Sequence, residues 1–423
     1  MNRFAYRWAL AVCLVAALSP VVAADDSDAL ALEAAPEPDT KPAADKALRL
    51  YIEGAAGRIT QRYGLPDLDV RRLSLDLNWS TRLSDRWRFA ISNRLDDIHP
   101  TDGNAPSTLN SLREAYVSWQ GEAGADIAEF GRINLRTGPA YGFNPTDYFR
   151  DDALRAITTA DPFALRENRL GTVVARYQRL WADGGVSLAL APKLASAPTR
   201  SSLSLDLGAT NNRHRGVATW SGQFSDKLSG QVLAYTDQDR GAQWGGSMTA
   251  LLSTALVGHL ELSRGRDDDL FSAKVLGLPR QATRNRLSAG ATFTTATRLA
   301  LTAEYEYNGF APDQAAWKAA SSAGLAAFGS YLQAAQARQD IASRSAWMIY
   351  ATQKSAIWKS LDLTAFMRIN AEDRSRTGWL EMRYHWPKAD AALQWQANNG
   401  RPTGEYGLVP YHRLVQVLGT WYF

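Results

Sequence analysis

Apolar and polar residues alternate with a period of two along most of this chain. Leu73 and Leu75 fall on one face of a segment, whereas Arg72 and Asp76 fall on the other, and the pattern starts at Leu48. This alternation is typical of β-strands that bury a single face. Each segment spans about ten residues, which is the length that a tilted strand needs to cross a membrane.

The alternation divides the chain into eighteen predicted strands. They are 48–58, 69–82, 86–96, 109–120, 125–135, 167–179, 184–193, 214–224, 228–237, 244–252, 256–265, 284–294, 298–308, 345–354, 361–370, 377–386, 389–398 and 412–423. Short turns such as 84–85, 182–183 and 387–388 alternate with long polar loops. The long loops are 97–108, 136–166, 194–213, 266–283, 309–344 and 399–411.

The alternation of short and long connections decides between two kinds of β-protein. A soluble sandwich has no reason to alternate them, whereas an outer-membrane barrel has short periplasmic turns and long extracellular loops. We therefore predict an all-β fold, a single transmembrane antiparallel β-barrel of about 18 strands, with 16 as the lower bound. The 244–265 hairpin and the edges of the first strand carry the weakest pattern.

Composition agrees with a barrel and excludes other classes. The mean hydropathy is −0.30, and no apolar run of the length of a spanning helix follows the N-terminus. The apolar fraction of 45% excludes a disordered chain, and the one cysteine excludes a disulfide framework. Only 9 of the 47 basic residues are lysine, so the chain is rich in arginine.

The N-terminus has the pattern of a secretory signal peptide. Arg3 and Arg7 precede a short apolar stretch, and small residues around Ala24 suit cleavage. We predict a signal peptide at 1–24, a flexible periplasmic segment at 25–47 and the barrel at 48–423. The apolar stretch is too short for a membrane anchor, and the lipoprotein alternative would use Cys13. Cleavage would lower the net charge from +4 to about +2.

Tryptophan and tyrosine gather near the strand ends, as in the interfacial girdles of membrane barrels. The alternative is that they are ordinary core aromatics. The residues are Trp79, Trp87, Trp119, Trp181, Trp220, Trp358, Tyr384, Trp386 and Trp421.

The opposite face of each strand is predicted to line a water-filled lumen. Its charged members are Arg72, Asp76, Arg88, Arg94, Glu114, Arg176, Glu261, Arg284, Arg286, Glu304, Glu306, Arg368, Glu381 and Arg383. Rings of arginine favour anions, and guanidinium binds carboxylate and phosphate through two bonds. Two alternatives remain: these arginines pair with glutamates and stiffen the wall, or surface arginines bind lipopolysaccharide phosphates.

Two long loops are candidates for narrowing the lumen. Loop 136–166 is rich in turn residues and aromatics, and we predict that it folds inward as a constriction. Its candidate residues are Tyr141, Phe143, Asn144, Asp147, Arg150, Asp151, Asp152 and Arg155. The alternative is an outer loop that packs on its neighbours. Loop 309–344 is alanine-rich with helical spacing, so it predicts one or two helices that form a lid, a plug or a passive surface.

These features resemble those of Gram-negative outer-membrane porins. The last strand alternates and ends on Phe423, which is similar to the signature that the barrel assembly machinery reads. Phe130-Gly131-Arg132, Gly138 and Phe143-Asn144-Pro145-Thr146-Asp147 look like a motif of alginate-export barrels, although Thr137 stands where a tryptophan is expected. The resemblance covers 48–423.

The resemblance implies a channel in the outer membrane for small or polymeric hydrophilic solutes. We expect these solutes to be anionic, such as acidic sugars, polyuronate or organic acids. The expected partners are outer-membrane lipid, lipopolysaccharide and the assembly machinery that reads Phe423. We expect no cofactor, no metal and no nucleic acid, because the arginines are spread along strands and form no patch.

An outer-membrane enzyme and a structural or assembly barrel without transport are the alternatives. Catalysis would need a histidine or carboxylate cluster beside a nucleophile or a metal. The five histidines show no His-Glu-x-x-His motif, but His99, His214 and His412 lie at loop edges and could meet in space. A receptor with a plug domain would need a longer segment before the barrel. The sequence therefore favours a channel over an enzyme.

Overall fold

The computed structural model describes residues 46–100, 106–122, 124–199 and 201–423. The predicted signal peptide 1–24 and residues 25–45 lie outside this part. Eighteen strands form one sheet. They are β1 Lys46–Gln61, β2 Leu68–Arg82, β3 Trp87–His99, β4 Thr108–Gln120, β5 Asp126–Ile133, β6 Thr172–Trp181, β7 Gly184–Ala191, β8 Arg215–Ser225, β9 Leu228–Asp237, β10 Gly241–Ser253, β11 Leu256–Asp268, β12 Gln281–Thr294, β13 Leu299–Asn308, β14 Ser345–Gln353, β15 Leu361–Asn370, β16 Arg376–Trp386, β17 Ala389–Asn399 and β18 Tyr411–Tyr422.

The sheet closes on itself through its first and last strands. Each strand pairs antiparallel with its neighbour in sequence, and β1 pairs with both β2 and β18. The seam between β1 and β18 is long, with Ile52 opposite Trp421 and Ile59 opposite Leu414. Closure leaves none of the described strands at an open edge of the sheet, which a lipid environment requires. The prediction of an eighteen-stranded antiparallel barrel is confirmed.

Most strand boundaries differ from the prediction by a few residues. The sixth strand begins at Thr172 and not at 167, because a short helix ends at Glu167. The hairpin of β10 and β11 is regular, although its pattern was weak. The first strand begins at Lys46, so two residues of the predicted flexible segment belong to the barrel.

The two faces of the strands have opposite character. Leu73 on β2 is 59% exposed on the outer wall, whereas Arg72 and Asp76 beside it are buried on the inner wall. Such an outward apolar band suits lipid. Several of the predicted girdle residues are exposed near the short turns, namely Trp87, Trp181, Trp220, Trp358, Trp386 and Trp421. Trp244 and Trp347 are exposed near the opposite end.

The connections differ between the two ends of the barrel. The end that holds Phe423 carries the short turns, and the other end carries the long loops, among them 134–171, 192–214 and 309–344. Three connections at the long-loop end, 62–67, 238–240 and 371–375, are themselves short. The alternation therefore holds for most of the barrel and is interrupted at these three hairpins.

In the residues that the structure describes, six helices lie in the long loops. They are α1 Pro162–Glu167, α2 Leu207–Thr210, α3 Leu270–Val275, α4 Gln314–Ala323, α5 Leu325–Ala337 and α6 Glu405–Leu408. Asp161 starts α1 by accepting a hydrogen bond from the Phe163 amide, and Pro162 follows at the first helical position. In the described part of the chain, no helix has the length and apolar character needed to cross a membrane.

Two glycines on β1 give a matched test of the seam. A Cβ at Gly57 would lie 2.5 Å from the Cβ of Gln416 on β18, whereas a Cβ at Gly54 would meet nothing within 4 Å. We expect Gly57→Val to cost about 1–3 kcal/mol of stability through overpacking. It should lower the fraction of heat-modifiable folded barrel after refolding into detergent, measured by gel shift. Gly54→Val is the control and should refold like the parent chain, and equal yields for both variants would contradict this account of the seam.

Candidate functional site

The inner wall is much more buried than an open lumen would be. Most of the predicted lumen residues are less than a tenth exposed, namely Arg72, Asp76, Arg94, Glu261, Arg286, Glu304, Glu306, Glu381 and Arg383. Arg88 and Glu114 are partly exposed, the side chain of Arg368 is 22% exposed, and that of Arg176 is 19% exposed. Arg284 is exposed above the wall. The inward parity of the buried set agrees with the prediction, but few of its members face open water.

Segment 134–171, which we call the constriction loop, fills much of the interior. It joins β5 to β6, and its residues 143–151 are all buried. Its backbone is held by two carboxylates that point inward from the wall. The amides of Ala140 and Thr146 donate to Glu261 on β11, with N···O distances of 3.2 and 2.7 Å. The loop therefore lies against the inner wall of the barrel.

Glu304 on β13 holds the next stretch of the constriction loop. It accepts the amides of Tyr141 and Gly142 at 2.6 and 2.7 Å, and His259 binds the same carboxylate at 2.7 Å. Hydrogen bonds to a charged acceptor are stronger than neutral ones. Arg368 also donates to the Gly142 carbonyl at 2.6 Å. The wall thus binds both amides and a carbonyl of the loop backbone.

Two glycines allow this close approach. A Cβ at Gly138 would collide with the Glu261 carboxylate, and the residue has a φ of +87°. A Cβ at Gly142 would collide with the carboxylate of Glu306. Glycine suits both positions because it has no Cβ, and at Gly138 it also tolerates the positive φ.

The aromatic residues of the constriction loop anchor it to the wall. Tyr148 stacks on Tyr235 of β9 with ring centroids 4.5 Å apart, and Tyr141 stacks on His259 at 5.8 Å. Phe143 packs in a small buried cluster with Ile341. These rings are therefore fixed against inward side chains and neighbouring loops, which leaves little of their surface for solute.

The two helices of the long loop 309–344, which we call the helix pair, pack on each other and are joined to the constriction loop. Trp317 of α4 packs on Phe328 of α5 at 4.9 Å. The Asp152 amide donates to the Ala337 carbonyl at the end of α5 at 2.9 Å. Two helices are present, and the end of α5 contacts the constriction loop at its middle.

Ion pairs hold the middle of the constriction loop to other loops. Arg150 binds Asp340, and its Nε lies 3.1 Å from the Arg338 carbonyl. Asp151 binds Arg213 at 3.3 Å and also binds Arg240. Burial opposes ionisation of Asp151, but these neighbouring arginines outweigh it and hold the pKa of its carboxyl well below the usual range.

The remaining predicted loop residues also have partners inside the protein. Arg155 donates to the carbonyls of Asn110, Ser201 and Ser204. Asn144 donates to the Ala140 carbonyl, and Asp147 accepts from Arg169. A role for these residues at an eyelet stays a prediction, because the structure places them at joints between loops.

The arginines of the opposite wall are compensated by carboxylates. Arg94 binds Asp96 at 2.9 Å, Glu53 at 3.2 Å and Asp76 at 3.5 Å. Arg72 also binds Glu53. Further pairs join Arg383 to Glu381, Arg368 to Glu306 and Arg286 to Asp267. This matches the alternative in which arginines and acids stiffen the wall.

A smaller group of charges stays accessible beside the constriction loop. Arg136 in the loop is exposed and, together with Arg176, lies within electrostatic range of Glu114. Arg88 and Arg176 also lie within electrostatic range of Tyr116. The loop also exposes Glu167 of α1. Sequence reasoning missed Arg136 because it lies in a loop, where strand parity gives no direction. It missed Glu167 because the predicted strand 167–179 began there, whereas the residue ends α1.

The histidines are dispersed. His99 binds Asp97, His214 accepts from the Lys193 amide, and His412 binds Arg62. The three that could have met in space therefore have different partners. Over residues 46–423, apart from the gaps given above, no cluster of His, Cys, Asp and Glu could hold a metal ion.

Glu261 and Glu304, which bind the loop backbone and which we call the carboxylate clamp, give a direct test of the constriction loop. Each amide–carboxylate bond contributes about 1.5–3 kcal/mol, so the double variant Glu261→Gln and Glu304→Gln should loosen the loop. We expect a larger mean single-channel conductance and more current noise in planar bilayers. The control is Glu122→Gln in the short turn 121–125, where an exposed pair with Arg86 is lost. A double variant that conducts like the control would contradict the clamp.

Asp161 gives a pH test within the loop. Burial raises the pKa of its carboxyl to about 7, and Glu381 and Glu167 raise it further while the Phe163 amide opposes them. Because the ordinary pKa is about 3.9, the folded chain keeps a proton that the unfolded chain releases. Ionisation therefore costs stability as the pH rises from about 4 to about 7.

We expect the amides of 158–167 to exchange faster with deuterium at about pH 8 than at about pH 6, after correction for intrinsic rates. Asp161→Asn should remove the difference. Asp313→Asn, at the N-cap of α4, is the control and should retain it. The same pH dependence in both variants would show that another group is responsible.

Comparisons with known proteins found solved structures with a similar fold. Neither a family model nor a curated protein matches the sequence. The crystal structure of Acinetobacter baumannii OccAB1 is similar with a TM-score of 0.57 and 9% identity, covering 90% of this chain and 96% of that one. Pseudomonas aeruginosa OccK7 (OpdD) has a TM-score of 0.52 and 11% identity, with 90% and 99% covered.

Pseudomonas putida OprB is similar with a TM-score of 0.50 and 11% identity, covering 90% of this chain and 94% of that one. These proteins are Gram-negative outer-membrane porins. At such identities the likeness concerns the fold, and the narrower resemblance to alginate-export barrels stays a prediction. This chain has the fold of outer-membrane porins.

Proposed function

We propose that the protein is a channel of the Gram-negative outer membrane that passes small hydrophilic solutes and prefers anions. The observation that carries the proposal is the constriction loop, which is held inside a closed barrel by Glu261 and Glu304. A loop that narrows the interior while accessible charges remain beside it is the arrangement that a selective pore needs.

The location follows from the outer wall and the fold. The wall exposes an apolar band with aromatic residues near both ends, which water would not favour over so large an area. The structural neighbours are outer-membrane porins. Phe423 is 69% exposed at the end of β18, so it is accessible to the assembly machinery. The proposal therefore includes this machinery as a partner.

The preference for anions rests on the accessible charges. The buried arginines are neutralised by carboxylates, so they contribute little net field. Arg88, Arg136, Arg176 and Arg284 stay partly or fully exposed, and their acidic counterparts are Glu114, Glu129 and Glu167. With four arginines against three glutamates, the excess of positive charge is small. This suits organic acids and acidic sugars, whose carboxylates guanidinium binds through two hydrogen bonds.

The size of the solute follows from the packing. The constriction loop is buried across the interior, and the helix pair of 309–344 is joined to it. The space that remains suits small molecules better than a polymer. No observation in the described residues favours an enzyme or a barrel without transport, since the histidines have separate partners. An enzyme, or a barrel without transport, would give no conductance in planar bilayers.

Ion selectivity tests the preference for anions. In planar bilayers with a salt gradient, the parent protein should give a reversal potential of anion-selective sign. Arg88→Gln, Arg136→Gln and Arg176→Gln should each lower the anion-to-cation permeability ratio by about twofold, because a unit charge about 8 Å away in water contributes about 0.5 kcal/mol.

The control is Arg264→Gln, which removes the same charge from the outer wall of β11. Its reversal potential should equal that of the parent. Arg94 and Arg286 are unsuitable for this test because both are buried in ion pairs. Cation selectivity of the parent, or equal shifts for Arg264→Gln and the three lumen variants, would overturn the proposed preference.

A further inference from the structure

Four arginines lie side by side on the outer wall at the long-loop end of the barrel. They are Arg376 on β16, Arg413 on β18, Arg58 on β1 and Arg71 on β2. All four side chains are exposed and have the outward parity of their strands. With β17 between the first two, the group crosses four strand spacings, which is about 19 Å along the sheet.

Three members of this arginine group have no side-chain partner among the described residues. Arg58 lies 3.2 Å from Asp67 and 4.0 Å from Asp69. Across the described residues, Arg71, Arg376 and Arg413 make neither an ion pair nor a side-chain hydrogen bond. They differ in this from the buried arginines of the inner wall, most of which bind carboxylates. A role in stiffening the sheet therefore does not account for them.

The position of the arginine group along the barrel axis identifies its surroundings. The next outward residue below Arg71 is Leu73, and the next below Arg413 is Val415, both exposed members of the apolar band. The arginine group thus begins where the apolar band ends. In a bilayer this is the level of the lipid head groups. A ligand at this place must carry an apolar part below and an anionic part above.

We propose that the group binds the phosphate groups of lipopolysaccharide in the outer leaflet, given that the long loops face outward. Guanidinium matches phosphate with two parallel hydrogen bonds, and the acyl chains would lie on Leu73, Val415 and their neighbours. The inference requires the outer-membrane location. It does not require conduction, because the group lies outside the lumen.

The test uses the purified full-length protein in detergent micelles and fluorescently labelled rough lipopolysaccharide. The triple variant Arg71→Gln, Arg376→Gln and Arg413→Gln should bind about 100-fold more weakly than the parent, since each basic residue near an anionic lipid surface contributes about fivefold. Dephosphorylated lipopolysaccharide should bind the parent as weakly as the intact lipid binds the triple variant. Single-channel conductance should stay unchanged.

The matched control removes three arginines from the opposite end, with Arg82→Gln, Arg86→Gln and Arg179→Gln. It should bind the lipid like the parent, and both triple variants should show the gel shift of a folded barrel. Equal binding by the two triple variants, or equal binding of dephosphorylated lipid to the parent, would overturn the proposal. Binding of inorganic phosphate alone that is lost in the first variant would indicate a site for free anions and would also overturn it.

Discussion

The structure depends on two carboxylates of the inner wall that accept backbone hydrogen bonds from an inserted loop. Without Glu261 and Glu304, the amides of Ala140, Tyr141 and Gly142 would lie in the interior with no acceptor. An eighteen-stranded barrel is too wide for its side chains to fill, and the constriction loop occupies part of the space that remains. The loop can enter because its backbone groups are satisfied by the wall.

Charge compensation sets what remains for function. Burying an arginine is costly unless a carboxylate accompanies it, and the network around Glu53, Asp76 and Asp96 provides those partners for Arg72, Arg94 and Arg113. The abundance of arginine in the sequence therefore says little about the field inside the barrel. The few charges that the constriction loop leaves accessible decide that field.

The sequence predicted the strands well and the site only in part. Strand positions are readable because each wall separates lipid from a polar interior, so the side chains alternate at every strand. The pairing of charges is not readable, since Arg72 and Glu53 meet through the register of two strands. Glu261 and Glu304 were predicted as pore-lining charges, but they bind the loop backbone. Gly138 and Gly142 carried a signal for this close approach.

The most direct test of the central claim compares two single-channel conductances. One is that of the parent chain, and the other is that of a chain with a shortened constriction loop. Residues 138–166 would be replaced by a short Gly-Ser linker, and single channels would be recorded in planar bilayers under identical salt. The account predicts discrete steps for the parent and severalfold larger steps for the shortened chain. Steps of equal size would show that the loop does not narrow the path, and an absence of steps in both chains would contradict a channel.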